Sequence, residues 1–171
     1  MRSGLKTVLR RVWARRGTTP EVNAEYGYEW TYLYGFVRPA TGETWWFILP
    51  SVNTALFNLA LAEFAAAQGL GPERRIVLLL DGAGWHRGGG VVVPEGLHLV
   101  PLPAYSPQLQ PAERLWPLAN EAVANRAFDT IGEIEDALAA RCRTLSEQPE
   151  PIRELTCFYW LPAEPVPSRS G

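Results

Sequence analysis

The run Ile76-Val77-Leu78-Leu79-Leu80, closed at once by Asp81-Gly82-Ala83-Gly84, constrains the fold more than any other stretch. Uninterrupted branched apolar residues read as a strand over Arg75–Leu80 buried on both faces, as in sheets covered by helices. A carboxylate at the end of such a strand points into the crevice where open α/β sheets bind ligands. The flanking chain has matching punctuation. Aromatic and β-branched residues predict a strand over Glu29–Val37, and Arg38-Pro39-Ala40-Thr41-Gly42 is a turn. A second strand over Glu43–Leu49 makes the pair a β-hairpin. Asn53 or Ser51 can cap a helix from about Thr54 to Gln68, with Gly69 as its stop.

Beyond Asp81, Gly82 to Gly90 is a glycine-rich loop carrying Trp85 and His86, followed by a buried strand over Leu97–Leu102. Pro111 suits the first turn of a helix running through Glu113, Trp116 and Ala119 to about Ala127, which Pro117 should bend or interrupt. Thr130 caps another helix, on which Ile131, Ile134, Leu138 and Cys142 recur at helical spacing. From Pro149 the chain is proline-rich, with fraying expected after Trp160. The order of elements fits an α/β sheet of ribonuclease H type.

Apolar content of 47% with seven Trp in 171 residues excludes the disordered class and allows one domain with a core. The net charge of −2 is uneven. Residues 1–16 contain Arg2, Lys6, Arg10, Arg11, Arg15 and Arg16 without an acid, so the rest of the chain carries −8. A basic arm on an acidic body suits a polyanion partner; a solvated tail is the plainer alternative, against which Trp13 stands. Cys142 and Cys157 lack metal-ligand spacing and read as buried or inert thiols. With no membrane-length apolar run and no signal-peptide pattern, the expected compartment is the cytoplasm.

Taken singly, Asp81 is as readily a turn residue and Glu113 a carboxylate favoured by a helix dipole. Their setting decides otherwise. Asp81-Gly82-Ala83-Gly84-Trp85-His86 and Tyr105-Ser106-Pro107-Gln108-Leu109-Gln110-Pro111-Ala112-Glu113-Arg114-Leu115-Trp116 resemble the second and third acidic motifs of DDE-type transposases, specifically the mariner-like enzymes of bacterial insertion sequences. The likeness extends to Arg10–Gly17, which resembles the segment after the family's first catalytic Asp, and to Tyr28–Gly35 with Pro39–Glu43, which resemble its second and third strands. It runs from about Gly4 to about Leu145.

The resemblance implies a mixed α/β fold of ribonuclease H type with flanking helices. It also implies Asp81 and Glu113 as catalytic metal ligands for Mg²⁺, with Mn²⁺ able to substitute. Asp81 would bridge two ions about 4 Å apart and Glu113 would hold one. DNA is the implied partner, as transposon ends and target, with a homodimer and an upstream DNA-binding segment of the same element as further options. Lys6, Arg10, Arg11, Arg15, Arg16 and His86 are the candidate DNA contacts; His86 could equally pack back onto the sheet.

The chain also departs from the pattern. Family members carry a first Asp on a strand before the basic segment, whereas Met1-Arg2-Ser3-Gly4 opens just past that place and no acid precedes Glu21. The expectation is an N-terminally truncated catalytic domain lacking its first, central strand. It would consist of a basic arm at 1–17, a partial catalytic domain at 18–146 and a proline-rich tail at 147–171. An inactive relic that only binds DNA or oligomerises is the competing reading, and a small metal-dependent nuclease the third. Ser106 lacks a nucleophile-elbow pattern. Trp116, Trp45 and Trp46 read as core or sheet-face residues, and His98 as a satisfied histidine within a buried strand.

Overall fold

The computed structural model describes residues 1–5, 29–81, 90–103 and 106–158. Lys6, Arg10, Arg11, Arg15, Arg16, His86 and Tyr105 lie outside the described residues, as does the chain after Phe158.

Among the described residues five strands and four helices follow one another in a mixed α/β order, and the fold is ribonuclease H-like. Strands β1 (Arg2–Gly4), β2 (Trp30–Arg38) and β3 (Glu43–Leu49) form an antiparallel sheet in that spatial order. Strands β4 (Ile76–Leu80) and β5 (Leu97–Pro101) form a parallel pair. Helix α1 (Thr54–Gln68) connects the two sheets in sequence; α2 (Leu115–Asn120), α3 (Ile131–Ser146) and α4 (Pro149–Thr156) follow β5.

Local chemistry sets the boundaries. The Asn53 side chain accepts from the Leu56 amide at 2.9 Å, and Gly69 closes α1 in the left-handed region at φ 60°. Thr130 caps α3 by accepting from the Glu133 amide, while the Glu133 carboxylate reaches back to the Asp129 amide at 2.9 Å. Gly42, at φ 79°, turns the β2–β3 hairpin, and a Cβ there would lie 1.8 Å from the Pro149 carbonyl oxygen. Only glycine lets α4 approach the turn.

Strand alternation places two cores on opposite faces of β2–β3. Phe36 stacks on Phe64 of α1 at 4.7 Å, in a cluster with Phe57, Leu61, Leu80 and Leu97 that ties β4–β5 to the same helix. On the other face Leu33, Ala119 and Cys142 pack together, beside Leu115, Leu145 and Ile152. The sheet is thus sandwiched between α1 and the three later helices.

Several expectations are corrected. A short first strand is present: Arg2–Gly4 pairs with Trp30–Tyr32, because that stretch of β2 has an edge free of β3 to receive it. Among the described residues β1 is not hydrogen-bonded to β4, so the five strands do not close into one sheet. Among the described residues, strands β4 and β5 are covered on one face only. Val77 is 62% exposed and Val100 42%, and His98 is exposed instead of sitting within a buried strand.

Helix α2 stops at Asn120 rather than near Ala127. The Leu118 carbonyl, which a continuing helix would satisfy from within, accepts from Arg141 Nε of α3 at 2.9 Å, and the same guanidinium pairs with Glu121. Residues 149–156 are helical where only a proline-rich stretch was read. Cys157 is exposed, while Cys142 is buried as expected.

Candidate active site

Asp81 is the first residue beyond β4 and is exposed. Glu113 is the third residue of a 3₁₀ turn, Pro111–Arg114, that leads directly into α2; it is half-buried. Pro111 starts this turn because its missing N–H would have had no helical partner. The buried side chains of Pro111, Ala112 and Leu115 anchor the turn to the core and leave Glu113 facing away from it.

Both carboxylates act on one group. The α-ammonium of Met1 is held by the Leu33 carbonyl oxygen at 2.7 Å. Burial pushes its pKa below the ordinary value, and the negative charges of Glu113 and then Asp81 oppose that shift. The Tyr34 hydroxyl reports the same field from β2. Burial, assisted by the Asp81 charge, raises its pKa to about 12. Asp81, Met1, Tyr34 and Trp116 all line a cavity of about 420 Å³ between β2 and β4. The two acids, 32 residues apart in sequence, therefore share one electrostatic environment at one end of the strands.

Glu113 is also held from behind. Trp116 Nε1 donates to Glu113 Oε1 at 3.2 Å, one helical turn on. The Trp116 ring sits edge-on to Trp46 at 6.3 Å, and Trp46 Nε1 donates to Thr44 Oγ1 at 3.0 Å. Thr44 in turn shares a hydrogen bond with Ser146 of α3. A Cβ on Gly35 would come within 3.0 Å of Trp116 and 2.8 Å of Trp46, so glycine there makes room for both indoles. Trp116 is partly core, as the sequence suggested, but its ring nitrogen serves the acid, which periodicity alone did not reveal. The signal available was the three-residue spacing of Glu113 and Trp116. Tyr34 was missed because nothing local to β2 marks it as a neighbour of Asp81.

Among the described residues no group of three or more His, Cys, Asp or Glu side chains could hold a metal ion. Two carboxylates nonetheless suit Mg²⁺, which is commonly held through one or two of them, its other positions filled by water and phosphate oxygens. His86 and the basic residues of the arm fall outside the described residues, so the structure neither joins them to this site nor separates them from it.

The family description "DDE superfamily endonuclease" matches residues 1–135. The chain belongs to that family. It is the superfamily that the paired acidic motifs suggested. The chain is 32% identical over 132 residues to "Uncharacterized protein y4pE/y4sA" of Sinorhizobium fredii, a match covering 77% of this chain and 96% of that protein. The fold is similar to that of chains in "Crystal structure of the Mos1 mariner paired end complex with Mn" (TM-score 0.59) and "Crystal structure of the Mos1 Strand Transfer Complex" (TM-score 0.57), each 18% identical. These matches cover 92% of this chain but 53% and 52% of those chains, so this DDE domain spans about half the length of the Mos1 proteins. No helix among the described residues is long and apolar enough to cross a membrane.

Proposed function

We propose that this chain is the catalytic-domain portion of an insertion-sequence transposase, in which Asp81 and Glu113 together hold divalent metal for DNA strand cleavage and transfer. The observation that carries this reading is that Asp81 lines one cavity together with Ala112 and Trp116, the residues on either side of Glu113. Bound Mg²⁺, or Mn²⁺ in its place, would activate the attacking oxygen and stabilise the leaving one. Asp81, exposed at the strand end, supplies one carboxylate. Glu113 supplies a second, oriented by the Trp116 indole N–H, which leaves its other oxygen for a ligand. Transposon-end and target DNA are the substrates on this reading. A homodimer and an upstream DNA-binding segment of the same element would complete the assembly.

A second reading, an inactive fragment that only binds DNA or oligomerises, is favoured by one feature: among the described residues no group of three or more His, Cys, Asp or Glu side chains could hold a metal ion. Two carboxylates leave a pair of divalent ions with an excess of positive charge, which is unfavourable at short separation. The test is cleavage of end-containing DNA in Mg²⁺ or Mn²⁺ by the chain itself and by a version carrying an Asp-bearing segment and a DNA-binding domain ahead of Met1. The account expects cleavage only from the second, abolished by Asp81→Ala or Glu113→Ala. Robust cleavage by the 171-residue chain, abolished by Asp81→Ala, would show that two carboxylates suffice.

A further inference from the structure

An indole carries one donor and no acceptor, so an N–H drawn into an apolar cluster must be aimed at a particular oxygen. Trp46 and Trp116 both pack against Leu33 and Cys142, and against Leu115 and Leu145. Each finds one acceptor among the described residues. Trp46 Nε1 donates to Thr44 Oγ1 at 3.0 Å, and Trp116 Nε1 donates to Glu113 Oε1 at 3.2 Å. Thr44 and Trp46 stand two apart on β3 and so share a face of the strand. Thr44 Oγ1 also lies 3.0 Å from Ser146 Oγ of α3, and Thr44 is only 9% exposed. The two rings meet edge-on above Gly35, where a Cβ would come 2.8 Å from Trp46 and 3.0 Å from Trp116. Packed that closely, neither ring can shift without the other. The acid at the end of this thread has little else to hold it. Among the described residues Trp116 Nε1 is the sole hydrogen-bond partner of the Glu113 carboxylate, which stands on a 3₁₀ turn at the end of a long, rotatable side chain.

The geometry points to Thr44 as a positioning residue for Glu113: its hydroxyl fixes the Trp46 indole, which seats the Trp116 indole, which holds one oxygen of the acid. Thr44 does not touch the carboxylate and acts through two rings. Ser146 fixes the hydroxyl in turn, so the orientation of an acid ahead of α2 is set from the last turn of α3. An apolar side chain of the same shape at position 44 leaves the Trp46 N–H without an acceptor, which is costly inside a cluster. The ring then turns toward water in the groove of about 580 Å³ that Thr44, Trp46 and Ser146 line between β3 and α3. Trp116 loses its edge contact, and Glu113 its steady donor. The inference deepens the proposed function, since it rests on Glu113 being a metal ligand there; the thread of contacts itself needs no metal.

The test compares the full chain with Thr44→Val, which keeps the shape and removes the hydroxyl, and with Thr44→Ser, which keeps the hydroxyl. Without metal, solvent exchange of the Trp116 indole N–H reads the end of the thread, and the main-chain amides of Trp45 and Phe47 report general loosening. With metal, water-proton relaxation gives the Mn²⁺ affinity. In Thr44→Val the Trp116 N–H should exchange at least about fivefold faster while the two amides stay unchanged. Mn²⁺ affinity should fall about three- to tenfold, the effect of one modest hydrogen bond, and Thr44→Ser should match the unmodified chain in both measurements. Trp116 exchange unaltered by Thr44→Val, or quickened only in step with the amides, would overturn the proposal. So would Mn²⁺ binding by the unmodified chain that Thr44→Val leaves at full strength. No Mn²⁺ binding by the unmodified chain would defeat the metal role of Glu113 instead, and the exchange measurement would still decide whether Thr44 positions it.

Discussion

Tyr34 and Trp116 are neighbours of the two acids that carry the proposed chemistry, one sensing the Asp81 charge and the other donating to Glu113. Tyr34 is held protonated by burial and by the Asp81 charge, with its pKa raised to about 12. A group whose folded-state pKa is raised contributes stability that is complete below its unfolded value, near 10, and lost as pH climbs through the folded value. The unfolding free energy should therefore decline between pH 10 and about 12, and Tyr34→Phe should flatten that decline. Denaturant titrations of both proteins across this window provide the check, and equal slopes would contradict it. The sequence names Asp81 and Glu113 as the candidate pair, because motif residues flanking a strand end and a helix start carry their own context. Tyr34 and the indole of Trp116 were not. Their roles come from the strand and turn that tertiary packing brings alongside.

Elements defined by local chemistry were readable almost to the residue. Asn53 and Gly69 bound α1, and Arg38 to Gly42 closes the hairpin, because caps and turns are satisfied by immediate neighbours. Elements defined by partners distant in sequence were not readable. Helix α2 ends where Arg141 takes over a carbonyl, 23 residues away in sequence. Helix α4 looked like proline-rich chain, although Pro149 in its first turn and the four-residue spacing of Ile152 and Thr156 fit a helix that buries one edge. Ile152 is 1% exposed and packs against Leu115 and Leu145, next to the turn that carries Glu113. Truncating it should cost about 2–5 kcal/mol, the usual penalty for removing a large aliphatic side chain from a core. Equilibrium unfolding of Ile152→Ala measures this, and a loss below about 1 kcal/mol would mean that α4 is not docked as described.

At the scale of the molecule, the cationic segment and the proposed metal site belong to different parts of one chain. The first 16 residues hold six cations and no acid, and the remainder is acidic. On the proposed function, DNA affinity should fall steeply with salt, because cations that replace counterions on phosphates make binding a function of salt concentration. Replacing Arg10, Arg11, Arg15 and Arg16 with Ala should make that dependence markedly shallower in fluorescence-anisotropy titrations. No detectable binding at low salt by the unmodified chain would reduce the arm to a solvated tail. The central claim, that Asp81 and Glu113 hold one divalent ion between them, is tested most directly by Mn²⁺ titration observed at the seven tryptophan indole N–H resonances. The Trp116 N–H, bonded to Glu113, should broaden first and most, and both Asp81→Asn and Glu113→Gln should remove that selectivity. Broadening spread evenly over the indoles, or selective broadening of Trp116 that survives Asp81→Asn, would contradict a shared metal site.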